Sequence, residues 1–173
     1  MATIIPLSDV ADAMVEQLLD IAFGPGRVER TAYAIRDGVE CLPALSFAAL
    51  DEEEHLAGTI QCWPVALTDG SDKRHPLVMV GPVAVLPDLQ NAGYGKAMML
   101  AALKALEDGA GPQGALPQVM IGDPEYYGRF FGFTADHTGG WQAPGPVEPT
   151  RLLCRAANPA VLPRSGMLGP WRA

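Results

Sequence analysis

The segment 77–106 constrains the fold of this chain more than any other. It reads LVMVGPVAVLPDLQNAGYGKAMMLAALKAL, with an apolar run typical of a buried strand (77–86), a polar turn (87–92) and an amphipathic helix from Gly93. The first backbone N–H groups of such a helix have no intrahelical acceptor, and the positive end of the helix dipole lies behind them. Glycines at positions 93 and 95 allow a phosphate to approach that backbone closely. The segment therefore predicts an anion site, best suited to a pyrophosphate.

Two better-known phosphate loops do not match this turn. The dinucleotide fingerprint G-x-G-x-x-G would need a third glycine at position 98, where the chain has Met98. A P-loop would need a glycine in place of Gln90 and a serine or threonine in place of Ala97. The turn reads instead as Q-x-x-G-x-G, from Gln90 to Gly95.

This pattern, which follows V-x-V-L-P, resembles the acyl-coenzyme A loop of the GCN5-related N-acetyltransferase (GNAT) superfamily. A second segment, GDPEYYGRFFGF at 122–133, is similar to the Y-Y-x-R-F-G-F motif of a bacterial branch of that superfamily. The resemblance implies an α/β (α+β mixed) fold. It would have a central, mostly antiparallel sheet of about six or seven strands, splayed at a bulge and flanked by about four helices. Residues 1–173 would form a single GNAT-like domain with a proline-punctuated C-terminal tail at 158–173.

The resemblance also implies acetyl-coenzyme A as the co-substrate, with no metal. The residues that would bind the coenzyme lie at the end of the strand and in the loop: Val83, Ala84, Val85, Gln90, Asn91, Ala92, Gly93, Tyr94, Gly95 and Lys96. The backbone of residues 83–85 would pair with the pantetheine amides as a neighbouring strand would. A lysine in the first helical turn is unfavourable by itself, so Lys96 also points to an anionic ligand.

The pair Gly81-Pro82 is unusual for the interior of a strand, because proline cannot donate to a β-ladder. In a GNAT fold this pair would mark the bulge that opens a slot for the pantetheine arm. The alternative is a strand that begins only after Pro82.

The resemblance further implies a tyrosine that protonates the leaving thiolate of the coenzyme. Tyr127 precedes Gly132 by five residues, where the family has four, because Phe130 and Phe131 are doubled. Either Tyr127 or Tyr126 could therefore face the sulfur, and Tyr127 is preferred. A backbone N–H near Val85 could polarise the thioester carbonyl.

The sequence identifies no general base. Glu54, His55, His75 and Asp123 are candidates on chemical grounds, and ordered water could relay the amine proton instead. The expected function is direct transfer of an acetyl group to a primary amine of a small molecule or a protein. The alternative is a non-catalytic acyl-coenzyme A binding or regulatory module. Both need the loop at 90–96, but only the enzyme needs an acid and an open acceptor cleft.

The composition excludes several other classes. Twelve Lys and Arg against 20 Asp and Glu give a formal charge of −8, so a general nucleic-acid binder is not expected. No apolar run reaches the roughly 18 residues of a membrane span, and the N-terminus lacks a basic signal-peptide region, so the expected location is cytoplasmic. The three cysteines follow no metal-ligand spacing, and neither H-E-x-x-H nor G-x-S-x-G occurs. A metalloenzyme or a serine hydrolase is therefore not expected.

The region before the central segment is predicted to begin with a strand at 3–7 and a helix capped by Ser8 or Asp9. The core-facing positions of that helix, assigned from helical spacing, are Val10, Ala13, Met14, Leu18, Ile21 and Ala22. A second helix is predicted at 28–36. The loop between the two helices borders the acceptor site in the GNAT pattern, so Arg27 and Arg30 could contact an acceptor, although exposed surface residues are the preferred interpretation.

The remaining elements are predicted from alternating and apolar patterns. An antiparallel hairpin is expected around the acidic turn 51–54, followed by a polar loop at 68–76. Further strands are predicted at 118–121, 133–137 and 150–155, with a short helix after the first of them and a Gly/Pro-rich loop at 138–149. In the tail, Met167, Leu168 and Trp171 should pack on the body of the chain or on a partner subunit of a homodimer.

Overall fold

The computed structural model describes residues 2–111 and 113–172. Within them the chain forms four α-helices and an eight-stranded sheet, which confirms the predicted α/β class. The helices are α1 (Asp12–Phe23), α2 (Thr31–Ile35), α3 (Tyr94–Glu107) and α4 (Pro124–Phe131). The strands are β1 (Thr3–Pro6), β2 (Phe47–Leu50), β3 (Leu56–Thr68), β4 (Arg74–Val85), β5 (Gln118–Ile121), β6 (Gly140–Gln142), β7 (Leu152–Arg155) and β8 (Ser165–Pro170). None of the described helices is long and apolar enough to cross a membrane.

The chain divides into two compact units, and β3 and β4 contribute residues to both. The first unit consists of Met1–Val28, Cys41–Cys62 and Val80–Ala115. The second consists of Glu29–Glu40, Trp63–Met79 and Leu116–Ala173. The assignment of residues 1–173 to a single domain stays a prediction.

In the first unit, β1, β2 and β3 form an antiparallel array in which Ala48 lies opposite both Ile5 and Thr59. One face of this array carries α1, because Ala48 and Ala84 belong to the same apolar cluster as Leu18 of that helix. Helix α3 buries the five predicted positions, Met98, Met99, Ala102, Leu103 and Leu106. The sequence pattern therefore identified the core face of α3 correctly.

The same reasoning was only partly correct for the region of α1, where the predicted Leu18 is buried and Val10 and Ala22 pack against its cluster. Ser8 and Asp9 lie in a separate 3₁₀ turn, and the helix begins later, with Ala11 as its N-cap. Its fully buried positions are Val15, Leu18 and Leu19, whereas the predicted core residues Met14 and Ile21 are 49% and 53% exposed. Apolar residues occupy more than one face of this helix, so spacing alone could not select the face that contacts the sheet.

Arg27 is not a surface residue, which corrects the preferred interpretation of the sequence. The residue is only 6% exposed. The guanidinium donates from Nε to Asp20 Oδ1 at 2.9 Å and also pairs with the carboxylate of Glu16. The two acids lie one turn apart on α1, and Gly24 ends that helix at φ +88° and turns the chain back toward them. Arg30 is exposed, as predicted.

The second unit contains two strands that the sequence analysis missed. Strand β5 pairs in parallel with β4 and antiparallel with β7. The predicted strand at 133–137 is reduced to one bridge, between Thr134 and Cys154. The supposed loop at 138–149 contains β6, and the tail contains β8, which is antiparallel to β3 and parallel to β6. Glycine and proline made these short strands look irregular, and distant backbone partners stabilise them.

The predicted polar loop at 68–76 is shorter than expected. Strand β4 begins at Arg74, so only a tight turn separates it from β3. Asp69 closes this turn, because its carboxylate accepts hydrogen bonds from the backbone N–H groups of Ser71 and Lys73 at 2.8 and 3.1 Å. An aspartate that caps its own turn in this way is a common device in hairpins.

The tail contributes to the core of the second unit, and a matched pair of substitutions tests this. Leu168 is 1% exposed and packs in a cluster with Val65 and Trp141, whereas its neighbour Met167 is 42% exposed. We expect Leu168→Ala to lower the free energy of unfolding by about 2–5 kcal/mol. Met167→Ala should change it by about 0.5 kcal/mol or less. Chemical denaturation measures both, and equal effects would contradict the packing described for β8.

Candidate active site

The turn between β4 and α3 has the geometry of an anion site. Gly93 is the N-cap of α3 with φ +91°, and Asn91 is also left-handed with φ +67°. The N–H of Ala97 donates to the Gly93 carbonyl at 3.0 Å, which is the first α-type bond of the helix. The N–H groups of Tyr94 and Gly95 precede that bond and have no acceptor within the helix. They lie at the positive end of the helix dipole, where an anion is stabilised.

The turn passes close to the end of β4 at Gly95. A Cβ at this position would lie 3.8 Å from Val83 Cγ1 and 3.8 Å from Val85 Cγ2. Val83 and Val85 are half-buried on this side, whereas Ala84 is 1% exposed and points to the α1 cluster. The predicted pantetheine-binding backbone and the predicted phosphate-binding turn are therefore adjacent.

Most of the predicted coenzyme-binding turn is open to solvent, as a site for a large anionic ligand requires. Tyr94 and Gly95 are half-buried. The exposed positions are Gln90, Asn91, Ala92, Gly93 and Lys96. The ammonium group of Lys96 thus belongs to an exposed first turn of the helix, where a bound phosphate would offset its repulsion by the helix dipole.

The predicted irregularity in β4 is present. Gly81 has φ +128°, which is outside the extended region, and the Gly81–Pro82 peptide is cis. Strand β4 continues on both sides of this pair, from Arg74 to Val85. The alternative, in which the strand begins only after Pro82, is therefore wrong.

Helix α4, in the second unit, carries the two candidate tyrosines. Asp123 caps it by accepting the N–H of Glu125 at 3.0 Å, and Gly132 ends it at φ +77°. The rings of Tyr126 and Tyr127 meet edge to face, with centroids 5.0 Å apart. Burial raises the pKa of Tyr127 to about 12, with smaller contributions from Tyr126 and Asp123 in the same direction. The Tyr127 phenol therefore stays protonated at neutral pH and can donate a proton.

Gly122 positions the Tyr127 ring, a role that the sequence analysis did not foresee. A Cβ on Gly122 would lie 2.7 Å from Cε2 and 2.8 Å from Cδ2 of Tyr127. Real Cβ atoms essentially never approach other heavy atoms so closely, so any side chain at 122 would displace the ring. The only sequence signal for this contact was the glycine at the end of a strand, which often marks a close approach.

We expect Gly122→Ala to lower kcat by about tenfold or more, because a small misplacement of a catalytic group is enough to slow a reaction. Gly122 does not have a positive φ, so an alanine at this position imposes no backbone strain. Gly139→Ala is the control, since a Cβ there would meet no heavy atom within 4 Å. Steady-state kinetics of Gly122→Ala in the wild-type and Tyr127→Phe backgrounds test whether Gly122 acts by positioning the Tyr127 hydroxyl. If Gly122→Ala slows both backgrounds equally, the glycine does not act through the Tyr127 hydroxyl.

The four candidate bases differ in what they contact. Asp123 caps α4, and His75 lies with Nε2 at 2.8 Å from Asp69 Oδ2. The hydrogen bond from His75 lowers the pKa of Asp69. Glu54 and His55 are exposed in the hairpin turn. Two of the four thus have structural partners, and the choice of a base stays open.

The described residues contain no group of three or more His, Cys, Asp or Glu that could hold a metal ion. Cys62 and Cys154 are buried free thiols. Burial raises the pKa of both thiols, that of Cys154 to about 12. Thiols in this state are poor nucleophiles.

An exposed helix N-terminus after an irregular buried strand is an arrangement that suits a ligand carrying phosphate. The model of the acetyltransferase (GNAT) family matches residues 13–113 of this chain. This match covers more than half of the chain, which therefore belongs to the GNAT family of acetyltransferases.

Solved structures of the same family share the fold. A GNAT family N-acetyltransferase (YhbS) from Escherichia coli, crystallised with CoA, superposes with a TM-score of 0.71 at 19% identity over 99% of this chain and 89% of that chain. A GNAT family acetyltransferase from Brucella melitensis, in complex with acetyl-CoA, gives a TM-score of 0.54 at 27% identity over 91% of this chain and 97% of that chain. The comparison with curated proteins found no significant match.

Proposed function

We propose that this chain is an N-acetyltransferase that transfers an acetyl group directly from acetyl-coenzyme A to a primary amine of a small molecule or a protein. The observation that carries the proposal is the N-terminus of α3, where left-handed Gly93 leaves the N–H groups of Tyr94 and Gly95 without helical acceptors. The complexes of the Escherichia coli and Brucella melitensis proteins with CoA and acetyl-CoA support it. A cytoplasmic location is part of the same proposal.

The residues of the first unit fit the coenzyme. The backbone of Val83, Ala84 and Val85 would pair with the pantetheine amides, as an added strand would. The turn from Gln90 to Lys96 would hold the pyrophosphate by backbone N–H groups, with the helix dipole and Lys96 supplying positive potential. A Cβ on Gly95 would lie 3.8 Å from the side chains of Val83 and Val85, so both parts of the coenzyme would bind neighbouring surfaces.

The chemistry needs few protein groups. The backbone N–H near Val85 would polarise the thioester carbonyl while the amine nitrogen attacks its carbon. As the C–N bond forms, the C–S bond breaks and the thiolate takes a proton from Tyr127. The pKa of about 12 keeps this phenol protonated until that step. The amine proton leaves through ordered water and restores the Tyr127 phenol, so that the products are the acetylated amine and the free thiol. Tyr126 is the alternative donor.

A non-catalytic acyl-coenzyme A binding module is the second candidate. It is favoured by the aromatic packing on α4, because the rings of Tyr126 and Phe131 lie 5.9 Å apart and those of Tyr127 and Phe131 lie 6.2 Å apart. Such a cluster stabilises a helix without any catalytic role. This module would bind acetyl-coenzyme A without releasing its thiol.

Calorimetric titration with acetyl-coenzyme A tests the proposal first, with dephospho-coenzyme A and NADH as controls. Selective binding, followed by thiol release when primary amines are added, would establish the acetyltransferase. Binding without thiol release for any amine would favour the binding module. No binding would contradict both candidates.

A further inference from the structure

Gly58 of β3 lies against both the end of β4 and helix α3. It is buried, and a Cβ built on it would lie 2.6 Å from the carbonyl oxygen of Ala84 and 2.9 Å from Met98 Cε. Cβ atoms in real proteins do not come so close to other heavy atoms. The φ of Gly58 is not positive, so its backbone conformation does not require glycine. Glycine is needed here because the Ala84 carbonyl occupies the space that a side chain would fill.

This close approach fixes the direction of the peptide group between Ala84 and Val85. The oxygen of Ala84 lies nearer to the Cβ position of Gly58 than its carbonyl carbon does, so the carbonyl points at β3. A trans peptide is planar, and its carbonyl and N–H point in opposite directions, so the N–H of Val85 points away from β3. The next residue agrees with this. The N–H of Leu86 donates to the Ala57 carbonyl on β3 at 2.9 Å, and successive N–H groups of an extended chain point to opposite edges.

The N–H of Val85 therefore belongs to the edge of β4 that faces away from β3. The described pairing of β4 with β5 consists of Val78 and Met79 and ends before Val85. In the proposed mechanism, the backbone N–H near Val85 polarises the thioester carbonyl. Such a donor is effective only when it points at the oxygen from about 2.7–3.1 Å, so a small tilt of the peptide group weakens it.

We propose that Gly58 is a positioning residue for acyl transfer, an inference that rests on the proposed function. By leaving room for the Ala84 carbonyl, it holds the peptide group at the angle at which the Val85 N–H meets the oxygen of the thioester. A side chain at position 58 would push the carbonyl away from β3 and turn the N–H off that oxygen. Gly58 thus acts on the acyl end of the coenzyme, and the turn at Gly93 holds the pyrophosphate without it.

The contact with Met98 is the weaker of the two constraints. Its Cε is the end of an unbranched side chain with three rotatable bonds, which can move aside. The Ala84 oxygen belongs to the backbone of a strand, and it can move only together with the N–H of Val85. A side chain at position 58 therefore displaces the peptide group rather than helix α3.

Gly58→Ala is the test variant, and Gly26→Ala is its control in the same unit. Gly26 has no positive φ either, and a Cβ there would meet no heavy atom within 4 Å. We expect Gly58→Ala to lower kcat about 10–100-fold, because a displaced donor no longer stabilises the developing charge. Its affinity for 3′-phospho-ADP, the nucleotide part of the coenzyme, should be unchanged in calorimetry. Gly26→Ala should leave both quantities at the wild-type values.

The carbonyl stretch of bound acetyl-coenzyme A is a readout that a loss of stability alone would not move. Infrared difference spectra with carbon-13 in the acetyl carbonyl report hydrogen bonds to this group, because a donor lowers its frequency. We expect the frequency in the wild type to lie below that of free acetyl-coenzyme A, and the frequency in Gly58→Ala to lie nearer the free value. Adding Met98→Leu to Gly58→Ala removes the Cε contact with little change of volume and should restore neither rate nor frequency.

Equal frequencies in the wild type and Gly58→Ala, with both proteins binding acetyl-coenzyme A, would overturn the inference. Full rescue by Met98→Leu would also overturn it, because the side chain would then act through α3. Nitrogen-15 NMR of the wild type is a second measurement that needs no variant. The Val85 amide should shift when acetyl-coenzyme A binds and stay in place with 3′-phospho-ADP, and no shift with acetyl-coenzyme A would contradict the assigned direction of this N–H. Failure of the proposed function is distinct, since the wild-type protein itself would then release no thiol with any amine.

Discussion

Replacing Gly93 and Gly95 together by valine is expected to abolish the binding of acetyl-coenzyme A. At φ +91° a β-branched residue at 93 is strained, so the N-cap and the direction of the first N–H groups would change. At 95, a valine side chain would extend from a Cβ already 3.8 Å from Val83 and Val85, into the space proposed for the pyrophosphate. Losing two charge-assisted hydrogen bonds should weaken binding about 100-fold or more, measured by calorimetry.

The control for backbone strain is a glycine at the other end of the same helix. Gly109 has φ +86°, and a Cβ there would meet no heavy atom within 4 Å, as at Gly93. Gly109→Val should therefore lower stability about as much as Gly93→Val does, yet leave the affinity for acetyl-coenzyme A unchanged. Binding that survives the double variant at 93 and 95 would show that the pyrophosphate lies elsewhere.

Tyr127→Phe is expected to lower kcat about 100-fold or more while the affinity for acetyl-coenzyme A stays within about twofold. Phenylalanine keeps the ring beside Gly122 and the contact with Phe131, and removes only the hydroxyl that would protonate the thiolate. Stopped-flow measurement of thiol release under single-turnover conditions separates this step from product release.

Tyr126→Phe is the matched control, because the Tyr126 ring packs edge to face on the Tyr127 ring, with centroids 5.0 Å apart. If Tyr126→Phe slows thiol release and Tyr127→Phe does not, the acid is Tyr126. The pH profile gives a second check. Because the Tyr127 pKa is raised to about 12, the phenol remains protonated through neutral and moderately alkaline pH, so the rate should not decline through its ionisation below about pH 11.

Several features could be predicted from the sequence because they depend on neighbours along the chain. The strand, turn and helix around Gly93 follow from apolar spacing and from glycine at positions that need it. The buried face of α3, the strand at Gln118–Ile121 and the short helix after that strand followed from the same local rules. The choice between Tyr126 and Tyr127 could not be made from the sequence, because a doubled phenylalanine shifts the family pattern by one residue.

The errors share one physical cause, which is dependence on contacts that form only when the chain folds. Arg27 looked like a surface residue because the charges of Glu16 and Asp20 reach it only after the chain turns at Gly24. The tail looked irregular because β8 is stabilised by backbone bonds to β3 and β6, not by its own sequence. The exposed Met14 and Ile21 looked like core because helical spacing does not say which face the sheet covers.

The sequence by itself predicted the turn that is proposed to bind the acetyl donor, because a glycine-containing turn at a helix N-terminus is a local structure. Its anion chemistry follows from backbone N–H groups that have no acceptor within the helix. Only the tertiary structure decided which groups lie against one another. It set Gly122 against the Tyr127 ring and brought the Arg27 guanidinium to the carboxylates of Glu16 and Asp20. Burial and hydrogen-bond pairing are properties of atoms brought together by folding, so residue type and spacing alone could not supply them.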